Sequence, residues 1–177
     1  MKTKKSFYTA ALVTMLAGLA QAHAETAPAA IQPQGSEFSG GYVGFKLGEN
    51  RSNASGVISS PTHNTTFPGL TAGYAFDAGP VLLGAEAFAD FHHGSTTRKD
   101  GGIDAKVGIP VGKLMPYARL GFTGGWPDTR LHAGLGVEYM LSRQFGLAGE
   151  WTTDTSHLNG TTRRNDSFTV GLNYHFK

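Results

Sequence analysis

From residue 43 onward this chain repeats one pattern, in which apolar residues alternate with small or polar ones at a period of two. The last run is the cleanest. Phe168, Val170, Leu172, Tyr174 and Phe176 fall on one face, and Thr169, Gly171, Asn173 and His175 fall on the other. Period two is the side-chain repeat of an extended strand, so each run specifies a strand with one apolar face. Seven earlier runs cover 43–48, 70–76, 83–91, 103–109, 117–122, 132–139 and 146–152. The run at 146–152 is the weakest, since only Leu147 and Trp151 mark its apolar side.

What shares a face decides what lies on each side of the sheet. Gly44, Gly48, Gly73, Gly84, Gly108, Gly121, Gly134, Gly136, Gly146 and Gly171 all alternate against the apolar residues. So does every charged residue inside a predicted strand. Phe45, Tyr74, Phe76, Phe91, Phe122, Tyr139, Trp151, Tyr174 and Phe176 fall on the apolar face instead. A soluble barrel puts apolar residues inside and charges outside; this pattern does the reverse. The predicted fold is all-β: an eight-stranded antiparallel transmembrane β-barrel, aromatic outside and polar inside. Eight strands leave a lumen filled by side chains, which excludes a general porin and explains the need for glycine beside larger residues.

The connections alternate too. Residues 77–80, 110–113 and 142–144 read as tight turns, and 51–65, 93–100 and 155–165 as long loops rich in Ser, Thr, Asn and Gly. Residues 124–129 make a shorter third loop. Short periplasmic turns and longer extracellular loops are the expected arrangement, with both chain ends on the periplasmic side. The closing strand is expected to pair with the first, because an open edge is not tolerated in lipid.

The start of the chain supports this address. Lys2, Lys4 and Lys5 precede an apolar stretch at 10–20, shorter than the roughly 20 residues of a membrane-spanning helix, and Ala22-His23-Ala24 is a small-x-small cleavage site. Residues 1–24 read as a secretory signal, 25–39 as a flexible periplasmic lead-in rich in Ala, Pro and Gln, and 40–177 as the barrel. Removing the signal leaves twelve basic against thirteen acidic residues, so the mature chain is near neutral and its charge does not point to nucleic acid. There is no cysteine, hence no lipidated cysteine and no disulfide.

Gly41-Tyr42-Val43-Gly44, Thr71-Ala72-Gly73-Tyr74, Pro116-Tyr117-Ala118, Gly134-Leu135-Gly136-Val137-Glu138-Tyr139 and the terminal strand with its aromatic end resemble small outer-membrane β-barrel proteins. These are the OmpA/OmpX-like and opacity-type surface proteins of Gram-negative bacteria. Lys177 after the final Phe departs from that pattern, and no peptidoglycan-binding domain is expected after the barrel. The resemblance implies a location in the outer membrane and partners among its lipids and lipopolysaccharide. It also implies delivery by the barrel-assembly machinery through the terminal strand.

Two residue sets could carry function. Lys46, Glu86, Lys106, Arg119 and Glu150 share a height on the inner face, with Glu138 a little lower, and are expected to form a lumen charge network that locks the barrel. A gate, in which one pair exchanges partners to open a narrow pore, is the alternative for the same residues. Arg51, Arg98, Lys99, Arg130, Arg163 and Arg164 fall at loop tips or bases and are expected to contact anions outside the cell, either lipopolysaccharide phosphates or a sulfated host glycan. The expected function is therefore a small surface protein with a structural role in envelope integrity, and with adhesion or ligand binding through the loops. No catalytic, cofactor or metal site is expected. Asp154, Ser156 and His157 hold the residue types of a lipid A-modifying hydrolase, but on a strand His157 faces away from the other two. His92 and His93, with Asp90 nearby, likewise point to opposite faces, and an approach of His132 to His92 is the alternative route to a metal site.

Overall fold

The computed structural model describes residues 35–92, 99–124 and 129–177, apart from the side chains of Ser60 and Pro61. The expected signal at 1–24, residues 25–34, His93 and Arg98 lie outside the described residues. Eight strands follow one another: β1 (Gly40–Gly56), β2 (Ser60–Ala78), β3 (Val81–Asp90), β4 (Asp100–Gly108), β5 (Leu114–Thr123), β6 (Leu131–Met140), β7 (Phe145–Leu158) and β8 (Thr161–His175). Each pairs antiparallel with the next, and β8 closes on β1 from Tyr42↔His175 up to Gly56↔Thr161. The terminal strand therefore does what the open-edge argument requires.

Alternation sets the two faces. Val43, Phe45 and Leu47 of β1, and Phe168, Val170 and Leu172 of β8, are exposed around the outside. Tyr42, Lys46, Glu86, Lys106, Arg119 and Glu138 are buried inside. Two inward glycines make room for inward rings. Tyr42 lies opposite Gly73 and Tyr117 opposite Gly136. A Cβ at Gly73 or Gly136 would fall 2.5 or 2.4 Å from the facing ring, so no larger residue fits there without displacing it.

The strands differ in length, and the difference is local. β3 to β6 have 10, 9, 10 and 10 residues, close to the span of a tilted transmembrane strand. β1, β2, β7 and β8 have 17, 19, 14 and 15. The surplus of four to nine residues extends these strands by roughly 15–30 Å on the extracellular side. The expected loops at 51–65 and 155–165 are accordingly not irregular. The first is mostly paired strand, with β1 and β2 in register from Gly40↔Ala75 to Ser52↔His63 and pairing again at Ala54↔Ser60 after a one-residue shift. The second turns on Asn159 and Gly160 alone, at φ 51° and 73°. Both central residues at positive φ is the requirement of a tight type I′-like hairpin turn, which Asn-Gly meets at little cost. Apolar alternation ends where lipid ends, while backbone pairing continues in water.

This extension also places two charges on the outside. Glu49 and Arg51 point outward from β1 beyond its predicted end, and Glu49 is already its tenth residue, at the edge of a lipid-spanning strand. At the opposite end, residues 35–39 of the expected flexible lead-in pack under the barrel. Phe38 is 1 % exposed and clusters with Ala75, Leu82, Met115, Tyr117 and Met140.

Candidate functional site: a charged lumen below a protruding sheet

The centre of the lumen is organised by Arg119, which β5 projects inward. Its Nε donates to Asp104 Oδ2 at 2.6 Å, and its Nη1 reaches Glu86 Oε1 at 2.7 Å and Glu150 Oε1 at 2.9 Å. Lys106 from β4 stands beside it, 3.5 Å from Glu86 Oε2 and 3.9 Å from Glu138 Oε2. Its Nζ also sits 3.9 Å from the centre of the Tyr117 ring and 5.1 Å from that of Tyr42. Both tyrosines finish the layer with hydroxyl donors, Tyr42 to Glu86 at 2.6 Å and Tyr117 to Glu150 at 3.0 Å. Buried charge is tolerable only when paired, and here Arg119 contacts three carboxylates, Lys106 stands near two, and Glu86 and Glu150 each meet Arg119 and a tyrosine hydroxyl.

The chain of polar contacts continues up and down. Toward the periplasm, Glu138 Oε1 accepts from Asn173 Nδ2 at 2.9 Å and lies 2.8 Å from His175 Nε2. Toward the outside, Asp104 Oδ2 lies 2.8 Å from His132 Nδ1, whose ring stacks on Phe88. Lys46 pairs with Asp90 at 3.0 Å and meets the centre through the Phe88 face, which Arg119 also approaches. Above them a polar vestibule of about 230 Å³ opens, lined by Asn50, Asp90, Arg130, Asp154 and Arg163 among others.

Alternation brought most of the expected set together. Glu86, Lys106, Arg119, Glu138 and Glu150 form one connected group, while Lys46 belongs to a neighbouring pair with Asp90. Asp104, the fully buried partner of Arg119, was missing from that set. Its signal was present, since it shares the inward parity of Lys106. His132 and His175 could have been found in the same way.

The cations expected at the outer surface separate into different environments. Arg130 is not a surface residue: it is 4 % exposed, paired with Asp154 at 3.1 Å and with Asp100. Residue 130 precedes β6 by one position, and even parity there continues the inward face of His132. Arg163 and Arg164 are adjacent on β8 and face opposite sides, Arg163 lining the vestibule and Arg164 pointing outward. Arg51 also points outward and lies opposite Asp166, which Arg164 Nε contacts at 3.1 Å. Lys99 is exposed.

The hydrolase residues are not assembled. Ser156 and Asp154 face the vestibule, whereas His157 is exposed on the other face of β7, and Asp154 is engaged by Arg130 and by Asn165 at 2.7 Å. For the metal alternative, His92 packs its ring 4.4 Å from that of Phe67, and His132 is committed to Asp104.

Three comparisons place the chain among known proteins. It is 26% identical over 185 residues to the 25 kDa outer-membrane immunogenic protein of Brucella melitensis, covering 85% of this chain and 84% of that one. Neisserial surface protein A has a similar structure, with a TM-score of 0.52 at 20% identity over 78% of this chain and 98% of the other. Ail, the attachment invasion locus protein of Yersinia pestis, aligns at a TM-score of 0.48 and 13% identity over 76% of this chain and 99% of its own. Residues 9–176 match the family described as outer membrane protein beta-barrel domain. With a closed eight-stranded barrel, apolar outside and charged inside, the chain belongs to that family and is a surface barrel of the Gram-negative outer membrane.

Proposed function

We propose that this protein presents the sheet formed by the outer parts of β7, β8, β1 and β2 to anionic surfaces, while its lumen serves as a structural lock. The observation that carries the reading is the pair Arg51 and Arg164. Both lie on the outward face of the raised sheet, one across from Asp166 and the other two residues before it on the same strand. Guanidinium groups suit phosphate and sulfate because their planar donors can bind two oxygens at once. The nearest such groups are the phosphates of lipopolysaccharide. A sulfated glycan on another cell is the adhesive counterpart, and Val57 and Ile58 at the hairpin tip, strongly exposed, would add apolar contact.

The test is binding of cells or purified barrel to immobilised heparin and to lipopolysaccharide vesicles, comparing the parent with Arg51→Ala/Arg164→Ala. A loss of both interactions with normal surface expression supports a general anion face. Loss of heparin binding alone supports adhesion. Retention of both removes these arginines from the function.

A further inference from the structure

The periplasmic end of the lumen is closed by a residue that belongs to no strand. Phe38 enters the barrel from below and packs on Leu82, Met115 and Met140, which the strands project into its lower end. Its ring meets that of His175 edge-on, with centroids 6.4 Å apart. The chain then reverses into β1 at Gly40, whose φ of 104° lies in the region that favours glycine. We propose that Phe38 is a removable plug, and that the segment 35–39 is a periplasmic gate that keeps water from the lumen charge layer.

Three observations support removal as well as closure. The first is how the segment is anchored. Ser36 N donates to Asp77 Oδ2 at 3.0 Å and Lys177 Nζ to Glu37 O at 2.6 Å, both at exposed positions where water competes. Lys177, the residue that follows the terminal aromatic, thus clamps the plug from outside the barrel. The second is what lies directly behind Phe38. His175 and Glu138 are each 1 % exposed, and the Nδ1 of His175 is buried with no hydrogen-bond partner among the described residues. A buried nitrogen with unmet capacity is relieved by water, so the site behind the plug gains from wetting once the plug leaves. The third is the chain of contacts leading inward from this pair. Glu138 touches Lys106, Lys106 touches Glu86, and Glu86 touches Arg119. Above Arg119, the vestibule already reaches His132. The charge layer and the plug are therefore separate barriers in series, polar in the middle and apolar below. The plug alone is attached to a segment outside the sheet, so it can move without breaking a strand pair.

The chain has no cysteine, so single reporters are clean. Met140→Cys places a thiol beside Phe38, and Leu82→Cys serves where the first reporter does not fold. Labelling of the full chain in nanodiscs by a polar maleimide is followed with Phe38, Phe38→Leu and Phe38→Ala, and folding is checked by the fast migration of unboiled protein. The expected result is labelling at least about tenfold faster with Phe38→Ala than with Phe38, and near the parent rate with Phe38→Leu. Lys177→Ala should fall between them. Equal rates in folded parent and Phe38→Ala would overturn the proposal. So would an equal acceleration at Ser156→Cys in the vestibule, which would mean general loosening of the barrel.

Discussion

Arg119 and Arg164 make the same kind of contact in opposite settings. Each holds a carboxylate at about salt-bridge distance, Arg119 with Asp104, Glu86 and Glu150, and Arg164 with Asp166. The Arg119 side chain is 1 % exposed and that of Arg164 is 56 % exposed. Inside, water cannot replace a lost partner, so removing one ion leaves its neighbours short of a countercharge. Outside, water and salt replace it readily. The proposed function assigns the inner network to holding the barrel, and the outer pair to exchanging Asp166 for an external anion. On the proposed function, the same side-chain chemistry serves structure in one region and recognition in the other.

This contrast can be broken in order of expected effect. Arg119→Ala leaves three carboxylates facing one another and should destabilise the barrel by about 3–5 kcal/mol, read as a lower urea midpoint in lipid vesicles. Arg119→Lys should recover part of the loss, because one ammonium cannot span Asp104, Glu86 and Glu150 as a guanidinium does. Gly136→Val tests whether the lumen is packed as tightly as its charges require. The added methyls must displace the Tyr117 ring and its bond to Glu150, at a cost of about 1–3 kcal/mol in the same assay. Gly160→Val, at the tip of the raised sheet, should cost about 1 kcal/mol or less globally, with faster amide exchange confined to the ends of β7 and β8. Arg164→Ala should change stability by no more than about 1 kcal/mol while weakening binding to anionic vesicles, and the difference should vanish at high salt.

How much of this was legible beforehand follows from what alternation reports. Period two reads the lipid boundary and the inward parity, so the eight strands, the closing β1–β8 pair and the group around Arg119 could be placed from residues alone. Asp104 was equally legible by parity. The outer parts of β1, β2, β7 and β8 were not, because strands in water need no apolar face and their Ser, Thr and Asn residues read as loop. The Asn159-Gly160 pair was the signal that 155–165 is a hairpin. Arg130 was misplaced because its burial depends on Asp100 and Asp154, which approach it from other strands. Phe38 lies in a stretch without periodicity, and only the arrangement of Leu82, Met115 and Met140 around it reveals its role.

The most direct test of the contrast is a pair of double-mutant cycles measured by equilibrium unfolding in the same lipid. One couples Arg119 with Glu150 and the other Arg164 with Asp166. The buried pair should show a coupling of about 2 kcal/mol or more and the exposed pair less than about 0.5 kcal/mol. Equal couplings would contradict the division of the molecule into a locked interior and an exchangeable outer face.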